Sequence, residues 1–299
     1  MPRITIFILG LCLATTVSAQ LPTSNIYAFQ MQQLTDSIFE FSNPQYLTAF
    51  NADGYNSQPA FFTNDELYIS AQLPSMVQPE LYLLNLENKT KLRVTETQEG
   101  EFSPQRMPDY YNFSAIRQEF TNNDTIVRLW QFPLDRLTNG RPVFKYLRGI
   151  GYYSWINSKQ VAVFMIGKPN YLALANVDTD EEIRLADNIG RCIKKLPNGN
   201  LVFVQKNEYG AWQIMELSMS RYARQVAKPQ LIIASMPGVE DFALLPDGSF
   251  LMGKGSKLYK FNRFKDDDWV EIADLRFYNI TNISRIAISP DMKIAIVAD

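Results

Sequence analysis

Histidine is absent from the 299 residues of this sequence. Histidine is the usual general base at neutral pH and the commonest transition-metal ligand, so its absence removes the most frequent routes to acid–base and metal catalysis. Neither a Ser-His-Asp nor a Cys-His catalytic relay can be formed by this chain. The composition therefore favours a protein that works by binding.

The sequence also contains few cysteines and has little net charge. The sequence has two cysteines and a net charge of −2. Cys12 lies in a segment that we expect to be removed, and Cys192 alone cannot form an intramolecular disulfide. The strand-like run around Cys192 predicts a small buried apolar side chain rather than a reactive thiol. Without a basic field to attract phosphates, nucleic acid is not an expected partner.

The N-terminus has the pattern of an export signal. Arg3 precedes an apolar stretch from Ile4 to Leu13, and Val17-Ser18-Ala19 is a small-residue cleavage site. A bilayer needs about 20 apolar residues, so this stretch is too short to span one. We predict a signal peptide at residues 1–19 that is cut after Ala19. The mature chain would then be periplasmic or extracellular, with no transmembrane segment.

A repeated hairpin pattern runs through the rest of the chain. Each copy is an apolar strand, a turn rich in Pro, Asp, Asn and Gly, and a second apolar strand, as around Pro246-Asp247-Gly248. The first turn residues are spaced by 41 to 49 residues and are Thr63, Pro108, Ile156, Pro197, Pro246 and Pro290. Proline presets the first dihedral of a turn, Asp or Asn bonds to nearby backbone, and glycine accepts a positive φ. Six tight hairpins are therefore predicted.

More polar strands lie between these hairpins, as at Leu81-Tyr82-Leu83-Leu84 and Leu258-Tyr259-Lys260-Phe261. Four strands in a unit of about 45 residues are typical of a propeller blade. The sixth hairpin ends the chain, while Ile26-Tyr27-Ala28-Phe29 supplies outer strands without an inner partner. We therefore predict an all-β fold in which residues 20–299 form one six-bladed β-propeller. Its last blade would combine N-terminal outer strands with C-terminal inner strands.

The repeats resemble those of the TolB-like propellers, which are WD-like periplasmic proteins. The resemblance rests on Glu101-Phe102-Ser103-Pro104, on Ser289-Pro290-Asp291 and on Leu81-Tyr82-Leu83-Leu84, and it covers residues 25–299. It implies six blades, a periplasmic or cell-surface location, binding to proteins or envelope components, and no cofactor. The third blade departs from the pattern, because Ile156-Asn157-Ser158 replaces Pro-Asp-Gly.

Aligning the hairpins places one residue of each blade at the start of its innermost strand, near the mouth of the central channel. These residues are Gln58, Ser103, Gly151, Cys192, Asp241 and Arg285. A neighbouring position holds Arg191 and Glu240. Charges at a channel entrance predict a binding site made by Arg191, Glu240, Asp241 and Arg285. Alternatively, Asp241 pairs with Arg285 and Glu240 with Arg191 as structural contacts.

Three functions are compatible with this pattern. The first is an exported, non-catalytic module that binds a protein or an envelope component across one face of the propeller. The second is a hydrolase or lactonase that uses channel-mouth carboxylates such as Glu240 and Asp241, with or without a metal. The third is a receptor for a small peptide or sugar. The second function predicts acids or amides that converge in one pocket, and a channel mouth lined mainly by apolar and basic groups would rule it out.

Overall fold

The computed structural model describes residues 21–121, 124–136, 138–219 and 227–299. Those ranges contain strands and two short 3-10 helices, Ala49–Asn51 and Arg276–Tyr278. They contain no helix that is long and apolar enough to cross a membrane. The predicted signal peptide, residues 1–19, lies outside the described residues.

Strands β1 to β6 are β1 (Asn25–Gln33), β2 (Phe39–Tyr46), β3 (Tyr55–Phe61), β4 (Glu66–Gln72), β5 (Glu80–Asn85) and β6 (Thr90–Arg93). Strands β7 to β14 are β7 (Gly100–Arg106), β8 (Asn112–Phe120), β9 (Thr125–Pro133), β10 (Arg141–Pro142), β11 (Ile150–Asn157), β12 (Gln160–Met165), β13 (Tyr171–Asn176) and β14 (Glu182–Asp187). Strands β15 to β24 are β15 (Ile189–Lys195), β16 (Leu201–Lys206), β17 (Trp212–Leu217), β18 (Gln230–Ala234), β19 (Ala243–Leu244), β20 (Phe250–Lys254), β21 (Lys257–Phe261), β22 (Val270–Asp274), β23 (Ile283–Ile288) and β24 (Lys293–Ala298).

These strands form six antiparallel sheets of four strands each, which confirms the predicted six-bladed propeller. Blades 1 to 5 follow the chain, each as four consecutive strands from β3–β6 to β19–β22. Blade 6 has the order β23-β24-β1-β2, with the C-terminal hairpin inside and the N-terminal pair outside. In it, Ile26 pairs with Val297 and Phe29 with Ile294. The predicted closure of the last blade by both ends of the chain is therefore confirmed.

The turns of the inner hairpins are held by side chains of the residue types that the sequence pattern predicted. Asp109 Oδ1 accepts a hydrogen bond from the Asn112 N–H at 2.9 Å, and Asp247 Oδ1 accepts one from the Ser249 N–H at 2.8 Å. Such bonds close a turn locally and relieve the backbone donors of the loop. The tight hairpins thus arise from short-range chemistry in each copy.

Blade 3 requires one correction. Ile156, predicted as the first turn residue, lies within β11, and the turn comes at Ser158 and Lys159. Without a proline to end it, the strand continues to Asn157. The Asn157 side chain then closes the turn by accepting from the N–H groups of Lys159 at 2.9 Å and Gln160 at 3.0 Å.

The hydrophobic core is divided among the interfaces between blades. Six clusters of buried side chains occur in the described chain, and each joins two neighbouring blades. For example, Ile26 and Val297 of blade 6 pack with Leu67 of blade 1. Phe113 of blade 2 stacks on Phe132 of its own blade at 5.0 Å and contacts Tyr68 of blade 1. Each blade thus buries both faces, and the innermost strands are held in fixed positions around the axis.

Candidate functional site: the central channel

The innermost strands of the six blades surround a cavity of about 440 Å³ on the propeller axis. All six blades contribute residues to its wall. We call the end of the cavity that is nearer to the start of the innermost strands the channel mouth, and the same side of the disc the mouth face. The mouth residues used below are Gln58, Ser103, Tyr152, Arg191, Asp241 and Arg285.

Most of the residues predicted to lie at the mouth do line the cavity. Arg191, Asp241 and Arg285 all contribute to the wall. Glu240 is not part of the wall but contacts Arg191. In blade 3 the wall contains Tyr152, Tyr153 and Ser154, whereas the predicted mouth residue Gly151 is not part of it.

The backbone departs from regular strand geometry at the mouth. The register of β3 with β4 shifts around Gln58, and that of β7 with β8 shifts around Ser103. Both residues have left-handed backbone conformations, with φ of 55° and 52°. The Gln58 Oε1 accepts a hydrogen bond from the Ser103 N–H at 2.7 Å and joins the two irregular strands. Bulges of this kind redirect side chains and are frequent beside binding sites.

Arg285 reaches across the channel mouth. It belongs to blade 6, and its Nη2 donates to the Tyr152 hydroxyl of blade 3, on the opposite side of the ring, at 3.3 Å. Its guanidinium carbon lies 5.6 Å from the centre of the Tyr152 ring. Burial disfavours the charged form of Arg285, but the Asp241 carboxylate and the Tyr152 phenol outweigh this effect and raise the Arg285 pKa. A permanent positive charge therefore lies close to the axis.

The predicted ion pairs at the mouth form only in part. Arg191 Nε and Glu240 Oε1 are 3.5 Å apart, and 31% and 27% of their side-chain surfaces are exposed. Among the ion pairs of the described residues, none within 4.0 Å joins Asp241 to Arg285. Asp241 Oδ2 instead accepts from the Ile286 N–H at 3.3 Å. Asp241 and Arg285 are thus neighbours that do not form a salt bridge with each other.

Positive charge continues toward the other end of the cavity. Arg106, Lys194 and Lys195 line the wall near the ends of β7 and β15, and sequence reasoning missed all three. Arg106 Nη1 donates to the Phe62 carbonyl at 3.0 Å, and Lys195 Nζ donates to the Ile156 carbonyl at 2.8 Å. Both cations therefore tie one blade to the preceding one. Their place just before the hairpin turn was the available sequence signal.

Cys192 also lies in the cavity wall, but its thiol is not a reactive group. Its thiol is buried and donates to the Phe242 carbonyl of the next blade at 3.3 Å. Burial raises the Cys192 pKa to about 12. A thiol of this kind is un-ionised at neutral pH and behaves as a small packing group, in agreement with the sequence interpretation.

No family model and no curated protein matches this sequence. Solved structures do match. A putative TolB from Agrobacterium tumefaciens has a TM-score of 0.63 and 13% sequence identity over 92% of this chain and 98% of that protein. TolB from Acinetobacter baumannii has a TM-score of 0.57 and 10% identity over 92% of this chain and 64% of that one. This chain has the TolB-like propeller fold.

The TolB-like fold is shared by proteins of different activities. A gluconolactonase from Xanthomonas campestris has a TM-score of 0.58 and 10% identity over 94% of this chain and 99% of its own. The resemblance predicted from the repeats is thus confirmed for the fold. Because the same architecture occurs in TolB proteins and in a gluconolactonase, function must be argued from the side chains of the channel.

Proposed function

We propose that this protein is an exported, non-catalytic TolB-like propeller that binds a protein or a cell-envelope component at its mouth face. The observation that carries the proposal is the set of charged side chains held around the axis on the innermost strands. Five cations line the cavity: Arg191 and Arg285 lie at the mouth, and Arg106, Lys194 and Lys195 lie farther along the wall. Rigid strands present such groups with little loss of conformational freedom on binding.

The loops of the mouth face also carry exposed apolar side chains. In blades 1 to 5, the connection between the second and third strands emerges on the mouth face, as does the connection from each blade to the next. Val77 and Tyr209 lie in connections of the first kind and Phe277 in one of the second. These side chains are 84%, 86% and 89% exposed. Exposed aromatic and aliphatic side chains around a polar centre favour a protein partner.

The acid content of the cavity argues against the hydrolase or lactonase alternative. Asp241 is the one carboxylate-bearing residue of the described wall, whereas Glu240 lies outside it and faces Arg191. Two carboxylates acting as acid and base would have to converge on one substrate. No group of three metal-ligating side chains is found within the described ranges.

Export of the chain is part of the proposal. It is supported by the pattern at residues 1–19. N-terminal sequencing of the protein recovered from its native host should begin at Gln20. Recovery of a chain that begins at Met1 from the cytoplasm would contradict it.

Affinity capture from the native envelope tests the binding proposal. The mature chain should recover one stoichiometric partner, and Tyr209→Asp on the mouth face should reduce recovery at least about tenfold, as expected for an aromatic contact residue. Phe264→Asp is the matched control, because Phe264 is 87% exposed in a turn on the opposite face. Equal loss in both variants, or no partner with the wild-type chain, would contradict the proposal.

A further inference from the structure

The guanidinium of Arg285 has unused hydrogen-bonding capacity. An arginine side chain carries five N–H donors in a planar fork. Within the described part of the chain, the one acceptor of Arg285 is the Tyr152 hydroxyl, and the 3.3 Å separation marks a long hydrogen bond. Arg285 itself lines the cavity at the mouth. A ligand oxygen can therefore gain charge-assisted hydrogen bonds here without first breaking a salt bridge.

The charge of the cavity selects for an anion. The whole chain has a net charge of −2, yet the cavity wall brings five cationic residues together with a single acidic one. A concave site of one sign focuses the field and raises the local concentration of oppositely charged ligands. The excess of cations is therefore a property of the channel and not of the protein surface as a whole.

Asp241 narrows the class of anion. Its carboxylate is held beside Arg285 by the hydrogen bond from the Ile286 N–H. A second negative charge at this point disfavours a phosphate dianion, but it can accept a hydrogen bond from a donor on the ligand. The combination suits a single carboxylate with an N–H group next to it.

From this arrangement we infer that the channel mouth binds a free carboxylate flanked by an N–H donor, as at the C-terminus of a peptide. Arg285 binds the two carboxylate oxygens with its planar fork, and Asp241 accepts from the adjacent N–H. The Tyr152 hydroxyl, released from Arg285, can donate to the same carboxylate. The cavity of about 440 Å³ has the size of a small-ligand pocket, so a few terminal residues fit inside it.

This inference deepens the proposed function, because it names the chemical group by which a partner is held. Calorimetric titration of the full mature chain tests it with acetyl-trialanine, which ends in a free carboxylate, and with its C-terminal amide. Acetyl-alanine and inorganic phosphate are the additional probes. We expect the free acid to bind at least about tenfold more tightly than the amide, and phosphate to bind more weakly than the free acid. A higher affinity of acetyl-trialanine over acetyl-alanine would identify a peptide end as the source, and equal affinities a free metabolite.

Variants separate this chemistry from general effects of charge and folding. Arg285→Gln should lose at least about tenfold in affinity for the free acid, and Arg285→Lys should keep part of it. Arg184→Gln is the control, since Arg184 lies on the outermost strand of blade 3 and pairs with Asp187. Melting temperatures show whether each variant is folded. Equal binding of acid and amide, tighter binding of phosphate, no binding of any probe, or unchanged affinity in Arg285→Gln would overturn the inference.

Capture of the envelope partner distinguishes a failure of the carboxylate inference from a failure of the partner-binding proposal. If the wild-type chain and Arg285→Gln recover the same envelope partner equally well, the partner-binding proposal stands and the carboxylate inference fails. If the acid binds through Arg285 but no partner is recovered, the binding chemistry stands and the partner proposal fails.

Discussion

Glu101 occupies an unusual place for a carboxyl group. It is fully buried between blades 1 and 2, where its Oε1 accepts from Arg117 Nε at 2.8 Å and from the Thr97 hydroxyl at 3.0 Å. Burial raises the Glu101 pKa to about 8, against the effect of Arg117 and with a further contribution from Glu80. A protonated Glu101 can donate to Glu80, whose buried Oε2 otherwise has no hydrogen-bond partner in the described chain.

This raised pKa predicts a pH-dependent stability. The folded state retains the proton while the unfolded state releases it, so the contribution is complete below the unfolded pKa and is lost as pH rises through the folded pKa. The free energy of unfolding should therefore fall between about pH 5 and pH 8, by at most about 1.4 kcal/mol per pH unit. Glu101→Gln, which mimics the neutral form, should flatten this profile in urea titrations.

Glu96→Gln is the control for that experiment, because the Glu96 side chain is 84% exposed and contacts the same Arg93 that binds Glu80. Its profile should follow that of the wild-type chain. A wild-type profile that is flat over this range would contradict the assignment.

Cys192 supports a second prediction at this scale. Because its thiol is buried and its pKa is raised to about 12, it should react with a thiol reagent at least about a hundredfold more slowly in the folded chain than in denaturant. Cys192→Ala, measured in the same mature chain, gives the background. Rapid reaction under native conditions would show an accessible thiolate and contradict the packing role.

At the scale of elements, blade 6 depends on strands from both ends of the chain. Strand β1 pairs with β24 along six residues, from Asn25 with Ala298 to Gln30 with Lys293. The pairing covers the edge of the C-terminal hairpin and connects the core of blade 6 to blade 1. Closing the ring in this way removes an exposed sheet edge.

Substitution in the closing strand should therefore be costly. Ile26 is fully buried in β1, and Ile26→Ala should reduce the free energy of unfolding by about 2–5 kcal/mol, as expected for a large-to-small change in a core. The control, Ile38→Ala, removes the same atoms from a side chain that is 55% exposed between β1 and β2. Its effect should stay within about 0.5 kcal/mol in chemical denaturation. Similar losses in the two variants would contradict a closing role for β1.

At the scale of the whole molecule, the placement of the core couples the blades. Each of the six clusters belongs to two blades, so unfolding one blade exposes the clusters on both of its sides. Unfolding of a single blade is therefore unfavourable, because it also exposes the apolar side chains of its two neighbours to water.

The molecule should therefore unfold in one cooperative transition. Far-UV and near-UV circular dichroism should give the same midpoint, and the calorimetric enthalpy should equal the van't Hoff enthalpy. Ile26→Ala serves as the internal comparison: its midpoint should be lower, with the transition still single. Separate transitions in the wild-type chain would show that blades unfold independently.

The sequence by itself determined the architecture of this protein. Turn residues such as Asp109 and Asp247 act over two or three positions along the chain, and the alternation of side chains in a strand repeats every two. Both patterns can therefore be recognised from the sequence without knowing which strands pair. The unpaired outer strands at the N-terminus predicted the closure of blade 6. At Ile156, where the turn has no proline, the predicted end of strand β11 was wrong by two residues.

Only the tertiary structure determined which side chains of the channel come together to contact a ligand. Arg285 and Tyr152 are 133 positions apart and meet because their blades lie on opposite sides of the ring. The contact of Arg191 with Glu240, and the lack of a salt bridge between Asp241 and Arg285 in the described residues, depend on distances of a few ångströms. Local patterns carry no information on such separations, since they are set by the diameter of the closed ring and by the bulges at Gln58 and Ser103.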